Sequence, residues 1–148
     1  MDIDKTVDAR WGVTAVRVMT GVILAVAGIQ KWLGGIGGFA GFVGSLGFPA
    51  PEVIAPVIAT GEVIGGLLIL LGIKARFVAL WFVAGFIVTS FVVKLAKQGF
   101  DAGRIDLMIL AASLMLVLAG AGKLAVDEYL GRREELAGSL RPQSVTSR

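Results

Sequence analysis

Four apolar runs, roughly Gly12 to Trp32, Val53 to Ile73, Arg76 to Val93 and Ile105 to Gly122, limit what this chain can become more than any other feature. Each is long enough to cross about 30 Å of hydrocarbon as a helix. In a bilayer every backbone N–H and C=O must be satisfied without water, so runs of this kind fold as α-helices. Helices of a soluble bundle need a polar face, which these runs lack. With 56% hydrophobic residues and a mean hydropathy of +0.85, the chain also exceeds what a domain with a polar shell carries. The expected fold class is all-α, a polytopic membrane four-helix bundle. Its membrane domain covers 1–130, and a cytoplasmic tail covers 131–148. That tail starts with a possible helical continuation and ends in a partly disordered segment rich in Ser, Thr, Pro and Arg.

Cysteine and histidine are both absent. Disulfides, thiolate chemistry, imidazole-ligated haem, iron–sulfur ligation and nearly every zinc site are thereby excluded. No cofactor held covalently or through a metal is expected. Redox or metal chemistry would have to come from a bound organic cofactor such as quinone, a carboxylate site or a partner protein. The net charge of +3 forms no basic stripe with interleaved aromatics, so nucleic acid is not an expected partner.

The basic residues set topology instead. Lys5, Arg10, Lys74, Arg76, Lys123, Arg132, Arg133, Arg141 and Arg148 make nine on one side of the membrane. Lys31, Lys94, Lys97 and Arg104 make four on the other, with Arg17 inside the first run. The positive-inside rule then places both termini in the cytoplasm of a multi-pass protein of the plasma (inner) membrane. A cleavable signal peptide ending near Ala25-Val26-Ala27 is the rival reading of the first run. Arg17 within the apolar stretch, three aspartates before it and Lys31 soon after argue against cleavage.

Between the first two runs lies QKWLGGIGGFAGFVGSLGFPAP, Gln30 to Pro51. Gly35 to Ala40 fits the loose G-x-G-x-x-G/A spacing, but that fingerprint needs a preceding strand, and a membrane helix precedes it. Phe39, Phe42, Val43 and Leu46 fall at i, i+3, i+4 and i+7, the spacing of one helical face. A short interfacial or re-entrant helix capping the external end of the bundle is expected, stopped by Pro49 and Pro51.

Ionisable groups within spans are costly, roughly 2.5 to 3.5 kcal/mol on insertion scales, and turn toward the bundle interior and a partner. Arg17 and Glu62 stand out, and they are expected to pair. Arg17, Gly21, Leu24, Gly28 and Lys31 share one face of the first helix, while Ala59, Glu62 and Gly66 share a face of the second. Small residues on both would allow close approach. A polar group of Gln30, Lys31, Glu52, Asp101, Arg104 and Asp106 is expected at the external boundary as a polar mouth or a set of helix anchors. Trp11, Trp32 and Trp81 are expected as interfacial anchors. No catalytic residue can be named. The candidate binding or ion-pair residues are Arg17, Gly21, Lys31, Glu62, Gly66 and Asp106.

RVMTGVILAVAGIQKW, GFVGSLGFPAP, GEVIGGLLILLGIKAR and AGAGKLAVDEYL, in that order over about residues 13 to 130, resemble the DoxX family of small four-helix membrane proteins. The fourth motif departs mildly, with KLAVD at 123–127 where a serine-leucine-aspartate-like ending is common. The family takes its name from a subunit associated with thiosulfate:quinone oxidoreductase. Similar proteins are linked to membrane complexes handling oxidative or thiol stress. The resemblance thus implies a membrane subunit of an electron-transfer or stress assembly, with a quinone or lipid-like pocket. It would have the lipid bilayer, a membrane or peripheral protein and a second copy of itself as candidate partners. Two other classes stay open: a small transporter or lipid-binding module using Arg17 and Glu62, and a structural assembly factor. Reporter fusions after Arg148 and near Gly44 are expected on opposite sides of the membrane. Reporters on one side, or an intact mass lacking residues 1–27, would refute this topology.

Overall fold

The computed structural model describes residues 8–139. Helix α1 (Ala9–Leu33) is followed by the short α2 (Ile36–Ser45), then α3 (Pro51–Leu71) and α4 (Ala75–Ile87). The last of these continues as a π-helical segment, Val88–Leu95, before α5 (Phe100–Ala119) and α6 (Val126–Ser139). Four units are long and apolar enough to span a membrane: α1, α3, α4 with its π extension, and α5, with 25, 21, 21 and 20 residues. The protein is therefore an all-helical membrane protein with a short helix between its first two spans.

Two boundaries differ from expectation. The fourth span was expected over 105–122 and runs over 100–119. Glycines bracket it: Gly99 (φ 86°) precedes the helix and Gly120 (φ 83°) ends it, both in conformations unfavourable to side chains. Helix α6 passes through residue 130, so the division expected between 130 and 131 falls within a helix. Of the last ten residues, 139–148, expected to be disordered, Ser139 ends α6 and 140–148 lie outside the described residues.

The tightest packing joins α1 to α3. A β-carbon on Gly21 would lie 2.7 Å from the Leu70 nitrogen and 2.8 Å from the Gly66 oxygen. On Gly66 it would lie 2.5 Å from the Ala25 nitrogen, and on Gly28 2.6 Å from the Ala59 oxygen. Backbone touches backbone, which only residues without side-chain bulk permit. Gly65, beside Gly66, receives the Phe82 ring of α4, so one glycine pair serves two neighbours. Leu24, Ile69, Ala79, Phe82, Ile109 and Leu116, drawn from all four spans, form the main core.

Helix α2 packs at the end of the bundle remote from residue 8. Its buried face is Ala40 and Val43, supported by Ile36 and Phe39 and set against Ala55 and Ile54 of α3. On this helix Phe39 and Val43 pack inward while Phe42 is exposed. The Lys97 ammonium donates to the Leu46 carbonyl at 3.0 Å and ties this helix to the end of the third span.

At the opposite end, the turn after α5 is bound to α1. The Thr14 hydroxyl donates to the Lys123 carbonyl and accepts from the Lys123 N–H, at 3.0 and 2.8 Å. Asp8 caps α1, accepting from the Arg10 N–H at 2.9 Å, and its carboxylate also meets the Lys123 ammonium at 2.9 Å. Those two bonds, the backbone N–H first, hold the Asp8 carboxyl below its ordinary pKa. Its contribution to stability is therefore present above the ordinary carboxylate pKa and fades as pH falls through the lowered value.

Gly66→Ala is expected to destabilise the protein by about 1–3 kcal/mol, the usual effect of forced overpacking. Gly61→Ala, where a β-carbon meets nothing within 4 Å, should change stability by no more than about 0.5 kcal/mol. Thermal unfolding in detergent compares the two, and equal effects would contradict the close α1–α3 contact.

Candidate functional site

The glycine seam continues into charge. Lys31 lies one turn beyond Gly28 on α1, and Glu62 lies one turn from both Ala59 and Gly66 on α3, so backbone contact at the seam brings the two side chains together. The Lys31 ammonium meets the Glu62 carboxylate at 2.5 Å. It also sits 5.3 Å from the centroid of the Phe39 ring of α2, within cation–π range.

A second pair comes from the other two spans. The Lys94 ammonium of the π-helical segment meets the Asp106 carboxylate of α5 at 2.7 Å. Gly103, one turn before Asp106, allows the approach: a β-carbon there would lie 3.3 Å from Leu95 and 3.6 Å from Lys94. π-Helical turns within α-helices often occur at functional sites. Both pairs lie toward the α2 end of the bundle, and together they make a charge cluster there. Its carboxylates are the most enclosed members, with side chains 13% (Glu62) and 9% (Asp106) exposed. Each of the four spans contributes one charged group.

Arg17 does not belong to this cluster. The expected Arg17–Glu62 pair is not formed. The Arg17 guanidinium is 2% exposed and donates to the carbonyls of Ala121 and Leu124 in the turn after α5. Gly72 makes room for it, since a β-carbon there would lie 2.8 Å from Nη1. The physical reason is one of supply. Carbonyls at and beyond a helix C-terminus lack intrahelical donors and are strong acceptors near the depth of Arg17. Glu62 is taken instead by Lys31, which reaches inward from the far end of α1.

The remaining candidates divide by role. Gly21 and Gly66 form the seam and hold no functional group toward the cluster. The expected external polar group splits, with Lys31 and Asp106 drawn into the cluster and Asp101 and Arg104 forming an exposed pair at 3.4 Å. Lys94 was not among the sequence-derived candidates. A signal for it existed: Lys94 and Asp106 are equidistant from residue 100, where the chain reverses, so antiparallel helices set them at one level.

Between α1 and α5 an open groove of about 580 Å³ is lined by Val16, Met19, Ile23, Ile105, Met108 and other, mostly apolar, residues, with Arg104 as its charged member; Lys31, Glu62, Lys94 and Asp106 do not line it. Ile105 and Ile109 on its wall are one and three residues from Asp106. Among the described residues, three buried side-chain atoms have no hydrogen-bond partner: Arg17 Nε, Ser90 Oγ and Ser113 Oγ.

The model of the DoxX family matches residues 12–95. "Putative oxidoreductase CatD" of Bacillus subtilis (strain 168) is 35% identical over 119 residues, covering 80% of this chain and 87% of that protein. "Uncharacterized membrane protein Rv3486" of Mycobacterium tuberculosis (strain ATCC 25618 / H37Rv) is 28% identical over 140 residues, 86% of each chain. No solved structure gives a significant match.

Lys31→Ala and Glu62→Ala are each expected to cost up to about 3 kcal/mol, because either leaves a partly enclosed charge uncompensated. Together they should cost less than the sum. Arg17→Ala combined with Glu62→Ala should instead be additive within about 0.5 kcal/mol. Coupling in the Arg17–Glu62 cycle, or none in the Lys31–Glu62 cycle, would contradict this arrangement.

Proposed function

Since the chain belongs to the DoxX family of membrane proteins, we propose that it serves as an integral membrane subunit of an electron-transfer or oxidative/thiol-stress assembly. In this reading it takes up a quinone or a similarly shaped lipid-like molecule between α1 and α5. The observation that carries the reading is the apolar groove that opens between α1 and α5, in a bundle whose spans also carry the Lys31–Glu62 and Lys94–Asp106 pairs. The name of the Bacillus subtilis relative points in the same direction. The protein has no thiol or imidazole, so electrons would enter and leave through the bound molecule and a protein partner in the plasma membrane.

The residues present fit such a guest. An isoprenoid or acyl chain matches the apolar walls formed by Met19, Ile23 and Met108. Arg104 on the groove wall offers guanidinium N–H donors that can hold a carbonyl oxygen. A quinone would supply reversible two-electron, two-proton chemistry. Catalysis by this chain alone is not part of the proposal.

A second reading, proton or ion passage, is favoured by the buried and unpartnered Ser90 and Ser113 hydroxyls, which lie one and two turns deeper than Lys94 and Asp106. Flux in proteoliposomes that falls with Glu62→Gln would select it.

Protein purified in mild detergent from its native membrane is expected to retain extractable quinone. Ala112→Phe, which narrows the groove, and Arg104→Ala, which removes a donor on its wall, should each lower retention several-fold while the fold persists. Absence of quinone, or equal retention in all three proteins, would overturn the quinone reading.

A further inference from the structure

A second cavity, of about 540 Å³, opens at the end of the bundle opposite the charge cluster. Its walls come from the start of α1, the turn between α3 and α4, the turn after α5 and the start of α6. Three cations line it: Arg10, Lys74 and Arg76. Two carboxylates, Asp127 and Glu128, do so as well. The Glu128 carboxylate meets the Arg10 guanidinium at 3.0 Å, so that pair is largely self-compensating. Lys74 and Arg76 form no ion pair among the described residues, although Asp127 lines the same cavity.

The backbone is shaped around these two cations. Lys74 adopts a left-handed conformation (φ 46°), which is strained for a residue with a side chain. Glycine would relieve that strain but would remove the charge. Gly120, at the end of α5, has φ 83° and ψ −160°, and a β-carbon there would lie 3.2 Å from Arg76 Nε and Nη2. The guanidinium therefore rests against the bared end of α5, where a larger residue would displace it. The floor is fixed by bonds already described: the Arg17 guanidinium holds the Ala121 and Leu124 carbonyls, and Arg10 reaches the Gly122 carbonyl at 3.4 Å.

One further wall decides the class of ligand. Phe77, next to Arg76, is 76% exposed on the flank of a membrane span and also lines the cavity. Two uncommitted cations thus border an apolar surface at the level where the spans begin and end, which is headgroup depth. Basic pockets of this kind between spans recognise phosphate-bearing headgroups. We propose that the cavity binds a phosphate ester, with Lys74 and Arg76 holding the phosphate oxygens and Phe77 lying along the apolar part of the molecule. The site is separate from the charge cluster and does not depend on the quinone reading.

Native mass spectrometry and equilibrium binding in a neutral detergent test this. The probes are phosphatidylglycerol as the lipid source of the phosphate and glycerol phosphate as the soluble one. The proteins are the full chain and its Lys74→Gln/Arg76→Gln variant. Wild-type protein is expected to retain phosphatidylglycerol, and the double variant to bind it about tenfold or more weakly, since each basic residue at such a surface contributes severalfold. Should the double variant fail to fold, Lys74→Gln alone, at an exposed turn, carries the test with a smaller loss, and the charge-retaining Arg76→Lys should keep most of the affinity. Glycerol phosphate binding with the same dependence would support the phosphate site and assign it to a soluble ligand. Binding of neither probe, or equal binding by wild type and variants, would overturn the proposal.

Discussion

The backbone contact between α1 and α3 at Gly21, Gly28 and Gly66 governs the rest of the bundle. Lipid tails are as apolar as leucine, so spans gain little from hydrophobic burial against one another and associate through close packing and polar contacts. The glycines supply the first. By letting two backbones touch, they also set the rotation and level of both helices, and Lys31 and Glu62 meet as a consequence. Gly65 then fixes α4 through Phe82, and α4 with its π extension carries Lys94 to Asp106. Packing near the middle of the spans thus determines electrostatics toward one end.

The two ends of the bundle treat their charges differently. Toward α2, two lysines and two carboxylates from four spans balance one another as two ion pairs without net charge. Toward the termini, Arg17 is spent on carbonyls of a turn, where it acts as a structural clamp. Burying a guanidinium is expensive unless its donors are used, and two carbonyl acceptors with nearby Gly72 supply a fitted seat. A functional account centred on Arg17 and Glu62 as a unit therefore gives way to one centred on Lys31, Glu62, Lys94 and Asp106.

Much of the fold was legible because the bilayer leaves so few options. Apolar runs of adequate length become spanning helices, and the Phe39-to-Leu46 spacing marks α2 despite its glycines. Shared faces such as Gly21–Gly28–Lys31 and Ala59–Glu62–Gly66 also identified the helices in closest contact. Partner choice within the bundle was not legible. It depends on the depth each side chain reaches and on which carbonyls a turn leaves without donors, and neither is encoded in spacing along one helix. The π-helical turn at Val88–Leu95 carries no clear sequence mark, so the inward placement of Lys94 was missed.

The central claim is that one charge from each span meets in a single cluster from which Arg17 is excluded. Solid-state NMR distance measurements in lipid bilayers, between lysine side-chain nitrogen and carboxylate carbon, test it most directly. The account predicts direct-contact couplings from Lys31 to Glu62 and from Lys94 to Asp106, with no coupling between the Arg17 guanidinium and Glu62. A contact between Arg17 and Glu62, or lysine nitrogens remote from both carboxylates, would contradict it.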